Sequence, residues 1–367
     1  MNNRRTKRLR TLRSLLGATF LTAAATMTFS QTVATIKTPD EPLRLKSRGS
    51  FIVGGDVVKQ TPTQLSSIYN APPTNAGDLT VNQMYVEFMV PERETGIPVV
   101  MLHGATLSGK TYDTTPDGRM GWYEYFVRRG HPVYVPDQVS RGRSGVDVAV
   151  YNDVRAGKRP ASDLPNAFRI SAQLGWTMFR LGPSYGTAFP DQQFPTQAAA
   201  ELARQAVPDL NATLPTPNPN IKAMADLAAQ LKGAVLMGHS ETGALPLDAA
   251  LTRQEGIKAV ILVEPGGCQA DTWSNEQIAR FARLPILTLF GDHLDVPTGS
   301  PGFSWKDAYT DCQKFTARVR AAGGNAEMLY LPEKRIFGNS HVMMMDKNNL
   351  QIADLLLQWV QRNTARK

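Results

Sequence analysis

The sequence predicts an α/β protein with a mostly parallel central sheet, helices on both faces and one inserted cap. Apolar, β-rich runs recur along the chain, helix-length segments separate most of the later ones, and a single proline-rich stretch interrupts the alternation. The runs are Ser50–Val53, Gln83–Val90, Pro98–His103, Pro132–Pro136, Ala234–Gly238, Lys258–Val263, Pro285–Phe290 and Ala326–Leu331. A parallel sheet of this kind carries its active groups at the carboxyl ends of the strands. Leu350, Ala353, Leu357 and Val360 share a face at helical spacing and predict a terminal helix. From Val146 to Asn220 nine prolines and scattered aromatics break the pattern. We read residues 146–220 as the cap, lying between a first core part, 35–145, and a second, 221–367, that resumes near Ile221.

The 367 residues leave one or two domains open. At 42% hydrophobic and 20% charged, with a mean hydropathy of −0.26, the chain can bury a large core and is not a membrane-embedded body. Its formal charge of +8 would suggest an anionic partner. Six of those charges are Arg4, Arg5, Lys7, Arg8, Arg10 and Arg13, with no acid before Asp40, so nucleic-acid binding loses its main support. The basic run leads into Ser14–Phe29, too short for the ~20 apolar residues of a spanning helix. Residues 1–34 therefore read as a signal peptide cut at Thr32-Val33-Ala34, with Ala23–Ala25 allowing an earlier cut and Arg4-Arg5 hinting at twin-arginine export. Periplasmic or extracellular location is expected, with no stable membrane insertion after cleavage; an uncleaved anchor is the alternative. Two cysteines fit an oxidising compartment, and a Cys268–Cys312 disulfide would close a loop worth ~4 kcal/mol in the chain-entropy account. Two buried thiols are the other reading. No Cys/His spacing suits zinc.

The strongest chemical signal is Ala234-Val-Leu-Met-Gly-His-Ser-Glu-Thr-Gly243, an apolar strand running into a serine and then the helical Ala244–Leu251. A nucleophile elbow needs small residues beside its serine because the turn is strained, and it presents the hydroxyl at a helix amino terminus. Here the second small position is Thr242 rather than glycine. If Ser240 is the nucleophile, its base should come late in the chain. Of the five histidines, His103, His131, His239 and His293 sit at other strand ends, which leaves His341, in the loop before the last helix. Glu264, Asp292 and Asp295 all follow strands downstream of the serine. Glu264 ends the sixth strand and is preferred as the orienting acid; Asp292 and Asp295, after the seventh, are the alternatives. An oxyanion hole needs two N–H donors, for which Ala105, after the third strand, and Glu241 are the candidates. Arg141-Gly-Arg-Ser-Gly145 adds the glycine-rich turn that often follows the fourth strand.

Through His103-Gly104, Arg141 to Gly145, the Ser240 elbow and His341, the chain resembles the α/β-hydrolase superfamily over roughly Ser50 to Val360. Gly-His-Ser-Glu-Thr-Gly with Val263-Glu264-Pro265-Gly266 is similar to a subgroup of secreted bacterial serine esterases whose triad acid is a Glu after strand six. That subgroup's known member carries adjacent cysteines where this chain has Ala105-Thr106, so no redox feature of that loop is carried over. The resemblance implies a carboxylic ester hydrolase working through an acyl-enzyme on a small-molecule ester, with no cofactor. Lactone, amide, carbon–carbon bond and polyester hydrolysis use the same parts. Trp176, Phe179, Phe189 and Phe194 suggest an apolar acyl or aromatic pocket, or equally core packing.

A rival reading comes from Gly104-Ala-Thr-Leu-Ser-Gly-Lys-Thr111, a complete P-loop match for nucleotide phosphates. Asp113, Pro116, Asp117 and Gly118 break the helix that such a loop needs, and the next helix should start only near Met120. Gly291-Asp-His-Leu-Asp295 could suggest a metal, although oxygen-rich loops are common and no metal is expected. Asn211-Ala212-Thr213 is a glycosylation sequon. Oligomeric state is left open, a homodimer included.

Overall fold

The computed structural model describes residues 31–37, 39–67 and 73–365, so most of the proposed signal peptide lies outside the described residues. Eight strands form one sheet: β1 (Leu45–Gln60), β2 (Gly77–Pro91), β3 (Val99–Leu102), β4 (Val133–Pro136), β5 (Ala234–His239), β6 (Ile257–Val263), β7 (Ile286–Phe290) and β8 (Ala326–Tyr330), in the order β1-β2-β4-β3-β5-β6-β7-β8. Every expected run is a strand. β1 and β2 pair antiparallel, as do β2 and β4, and all other neighbours are parallel. β1 is far longer than the expected Ser50–Val53. Gly49, Gly54 and Gly55 look like strand breaks in the sequence, yet pairing to β2 continues past them to Gln60↔Gly77.

The helices are α1 (Pro62–Leu65), α2 (Trp122–Arg128), α3 (Ala149–Arg155), α4 (Ala172–Met178), α5 (Ala199–Gln205), α6 (Pro219–Gln230), α7 (Leu245–Thr252), α8 (Asn275–Phe281), α9 (Trp305–Ala321) and α10 (Asn349–Thr364). Alternation along the strands divides the interior into two cores. Val100, Leu102, Leu236, Val260 and Leu262 face α6, α7, α8 and α9, whereas Val99, Met101, Val235, Ile261 and Val263 face α2 and α10. Local chemistry sets several helix starts. Ser274 and Gln277 form a capping box on α8, and Ser304 caps α9 by accepting the Asp307 N–H. On α10 the buried face is Ile352, Ala353, Leu356, Leu357 and Val360, while Leu350 stays half-exposed because Asn349 takes the inward position, accepting the Trp122 indole N–H through its carbonyl.

The proline-rich segment is not one unit over the sheet. α3 packs at the β1 hairpin end, where Asp153 accepts from Gln64 and Asn152 donates to the Gln64 carbonyl. Only the later part, carrying α4 and α5, reaches the carboxyl ends of the strands. Cys268 and Cys312 form a disulfide that ties the loop after β6 to α9. Among the described residues no helix is long and apolar enough to cross a membrane.

Candidate active site

β3 and β5 are neighbours, but the chain leaves β3 for β4 on one side and returns to β5 on the other, which makes a cleft at their carboxyl ends. Ser240 stands there, one residue past β5, with φ +61°, a left-handed backbone that a sharp strand-to-helix turn imposes. The packing explains the small residues around it. A Cβ on Gly238 would lie 2.1 Å from the Thr242 carbonyl oxygen, and one on Gly104 would lie 2.6 Å from the Ser240 Cβ. The loop after β3 thus rests directly on the serine.

Three side chains from distant parts of the chain form one hydrogen-bonded line. Nε2 of His341 accepts the Ser240 hydroxyl at 2.8 Å, and Nδ1–H of the same ring donates to Oε2 of Glu264 at 3.0 Å. The carboxylate partner fixes this tautomer. His341 and Glu264 are fully buried and Ser240 is partly open. Burial pushes the His341 imidazole below its ordinary value, against the hydrogen bond and charge of Glu264. Burial also works to raise the Glu264 carboxyl, but the Arg180 charge and the His341 bond outweigh it and hold it down to about 2.

The loop that delivers His341 is pinned from three sides. Its N–H donates to the Phe179 carbonyl (2.9 Å), and its own carbonyl accepts Nε2–H of His239 (2.9 Å). Asp346 accepts from the Ser340 N–H (2.9 Å), the Ser340 hydroxyl (2.6 Å) and the Asn339 amide (2.8 Å). Rings of Phe179, Trp305 and His239 surround the imidazole, with centroids 5.5, 4.1 and 4.7 Å away.

The loop Gly104–Thr106 is anchored through its Gly104 carbonyl and both backbone groups of Thr106, while the Thr106 hydroxyl is buried without a partner among the described residues. Arg141 Nη1 and His103 Nδ1 donate to the Gly104 carbonyl, Asp209 accepts the Thr106 N–H (3.1 Å), and the Val207 N–H donates to the Thr106 carbonyl (2.8 Å). The Ala105 N–H has no protein partner among the described residues. Glu241 follows the serine, its carboxylate held by Gln138, Arg141 and Asn211.

The other candidates go elsewhere. Asp292 accepts the His293 and Gly338 N–H groups, and Asp295 is exposed beside Lys306; neither meets His341. In the P-loop match, the Gly109 N–H is taken by the Asp137 carboxylate (2.6 Å) and Lys110 donates to the Thr114 carbonyl, so donors that would cradle a phosphate are already used. Asp191, Asp292 and His293 converge, and their atoms bond to one another and to backbone N–H groups. Trp176 and Phe179, with Leu107, Ile170, Gly175 and Leu202, line an apolar cavity between α4 and α5. Phe194 is core, and Phe189 stacks on His293.

Among solved structures, this fold is similar to a bacterial esterase determined at atomic resolution. The two share 44% identity over 90% of this chain and 99% of that one, with a TM-score of 0.82. The chain belongs to the α/β-hydrolase superfamily. Among curated proteins, the hydrolase is 28% identical over 323 residues to a probable secreted lipase, phiG, of Fungal sp. (strain ATCC 74256), covering 76% of this chain and 86% of that protein. No family model matches.

Sequence reasoning about this hydrolase missed Arg180, Asp209, Trp305 and Asp346. Arg180 Nη2 donates to Oε1 of Glu264 at 2.6 Å, and Asp209 pairs with the buried Arg141 at 2.6 Å. Arg180 and Asp209 lie in the proline-rich segment, where no periodic pattern marked them. For Asp346 a signal existed: an acid five residues after a loop histidine, ahead of a helix.

Proposed function

We propose that this chain, a carboxylic ester hydrolase by family, works through an acyl-enzyme. Ser240 attacks the ester carbonyl, His341 takes its proton and later returns it to the leaving alcohol, and Glu264 orients the ring and supports the imidazolium. The N–H groups of Ala105 and Glu241 hold the oxyanion. A water then repeats the attack and releases the acid. The observation that carries the reading is the Ser240–His341–Glu264 line, with both bonds at 3.0 Å or less. Support for the oxyanion role of Ala105 is its unused N–H beside the nucleophile. The apolar cavity next to Phe179 and Leu107 favours an uncharged acyl or aromatic group.

Export is part of the proposal, supported by the basic and apolar leader, the disulfide and the secreted lipase relative. Gln31 bonds to Glu201 and Thr115, and the Lys37 N–H donates to the Gly118 carbonyl. Those contacts favour a cut near Ala23–Ala25, which would keep the docked segment in the mature protein.

The test is fluorophosphonate labelling with peptide mapping, beside the turnover of Ser240→Ala. Stoichiometric labelling at Ser240 and loss of nearly all turnover are expected, since the hydroxyl forms the bond. A folded Ser240→Ala that retains more than about a tenth of wild-type kcat overturns the reading.

A further inference from the structure

We propose that Arg180 is a positioning residue of the triad, a cation carried in by the inserted segment that clamps one oxygen of Glu264 so that the other faces His341. The inference rests on the acyl-enzyme reading and adds a part of the machinery that lies outside the strand ends.

Arg180 follows α4, and its side chain has no exposed surface. Nη2 donates to Oε1 of Glu264 (2.6 Å), Nε donates to the Asp292 carbonyl (2.7 Å), and the guanidinium lies over the Trp305 ring, 5.2 Å from its centroid. The Arg180 carbonyl is itself fixed by the Gln192 amide at 2.8 Å. Gly291 N–H shares Oε1 at 2.5 Å, so that oxygen is saturated and Oε2 is left to His341. A carboxylate held this way is set in one rotation, and the ring it aligns is set with it.

The pairing also decides the charge in the pocket. A lone buried carboxylate is expensive, and Arg180 supplies its counter-charge. The structure accepts a cost to place it, since Arg180 Nη1 is buried without a hydrogen-bond partner among the described residues. The titratable and charged groups facing His341 are Glu264 from the end of β6, His239 from the end of β5 and Arg180 from the cap; its other neighbours include the Ser240 hydroxyl and the Phe179 and Trp305 rings. Burial holds His239 neutral, down to about 3, helped by His341. Glu264 favours the imidazolium and Arg180 opposes it. His341 therefore stays neutral, and able to accept the serine proton, in more acidic solution than an unclamped Glu-His pair would allow. The line is complete only when the segment carrying α4 is seated.

The test is the pH profile of kcat/KM on 4-nitrophenyl butyrate for wild type, Arg180→Lys and Arg180→Met, with melting temperatures measured alongside. Arg180→Met is expected to lose about tenfold or more in kcat, with a smaller change in KM, and its acid limb is expected to move up by about one pH unit. Arg180→Lys keeps the charge and holds the limb near the wild-type position. An arginine that serves folding alone would lower yield or melting temperature and leave the limb in place; that result overturns the proposal. Should Arg180→Met fail to fold, the His341 ring of the wild type is titrated by NMR, and a midpoint at or above the ordinary ~6.5 overturns it instead. A dead Ser240→Ala with an unmoved Arg180→Met limb rejects only this inference, whereas an active Ser240→Ala rejects the reading beneath it.

Discussion

The Thr242 hydroxyl donates to the carbonyl of His103 across 2.9 Å, joining the turn that carries the nucleophile to the strand that leads into the Gly104–Thr106 loop. A glycine at this position of the elbow could not make that bond. Thr242 is buried, so an apolar isostere removes that bond, leaves the carbonyl with the Gln138 amide alone and takes the acceptor away from the His239 N–H. Thr242→Val is expected to cost about 1–3 kcal/mol of unfolding free energy. It should also lower kcat about tenfold, through displacement of Ser240. Thr242→Ser should stay near wild type in both. Urea unfolding and initial rates check this, and equal behaviour of Val and Ser variants would refute it.

Glu264 and Asp292 are both buried or partly buried acids at strand ends, and their bonds separate their effects. Glu264→Gln keeps the shape but removes the charge that supports the imidazolium, and an amide can hold the wrong tautomer. A loss of at least about 10²-fold in kcat is expected, with KM little changed. Asp292→Asn weakens two backbone caps at His293 and Gly338, so it should lower the melting temperature and cost less than about tenfold in kcat. Asp295→Asn, exposed beside Lys306, should change neither. Normal turnover by Glu264→Gln with a crippled Asp292→Asn would move the acid to the loop after β7.

Buried histidines set the acid side of the stability curve. Burial lowers His103 to about 4 and His239 to about 3, from an ordinary value of 6.5. Both therefore bind protons more readily in the unfolded chain, and stability falls as pH drops from about 6.5 towards 4. Protonation of the unfolded state at His103 alone amounts to about 3 kcal/mol across that range. Melting temperature should decline steeply between pH 6.5 and 4, and His103→Asn should flatten the decline. A flat profile in the wild type would contradict the buried neutral state.

Gly175 sits mid-helix in α4 and lines the apolar cavity; a Cβ there meets nothing closer than 3.7 Å. Leucine can enter without backbone strain and fill the space. Gly175→Leu is expected to lower kcat/KM for the longest accepted acyl ester by about tenfold or more, and to spare acetate esters. Melting temperature should hold or rise, because glycine in a helix interior costs about 1 kcal/mol relative to better helix formers. A uniform loss across an ester chain-length panel would place the acyl group elsewhere.

The central strands were legible because parallel strands buried on both faces are short continuous apolar runs, as in Ala234–Gly238 and Lys258–Val263. Ser240, Glu264 and His341 were legible because each sits just past a strand or before the last helix, where backbone position forces side-chain placement. Arg180 and Asp209 obey no such constraint. They reach the site through contacts 84 residues away to Glu264 and 103 residues away to Thr106, from a segment whose prolines erase periodicity. Gln60 at the end of β1 was hidden for a different reason: paired glycines inside a strand look like a turn.

The Asn211 side chain has a consequence for how the protein is made. Its Nδ2, the atom that an oligosaccharyltransferase modifies, donates to Glu241 Oε1, on the residue next to Ser240. Yeast or insect secretion would attach a sugar there as the chain emerges, before that contact can form, and the bulk would stand where Glu241 packs. Product from such hosts should be soluble yet poorly active, and restored by Asn211→Gln or by bacterial production.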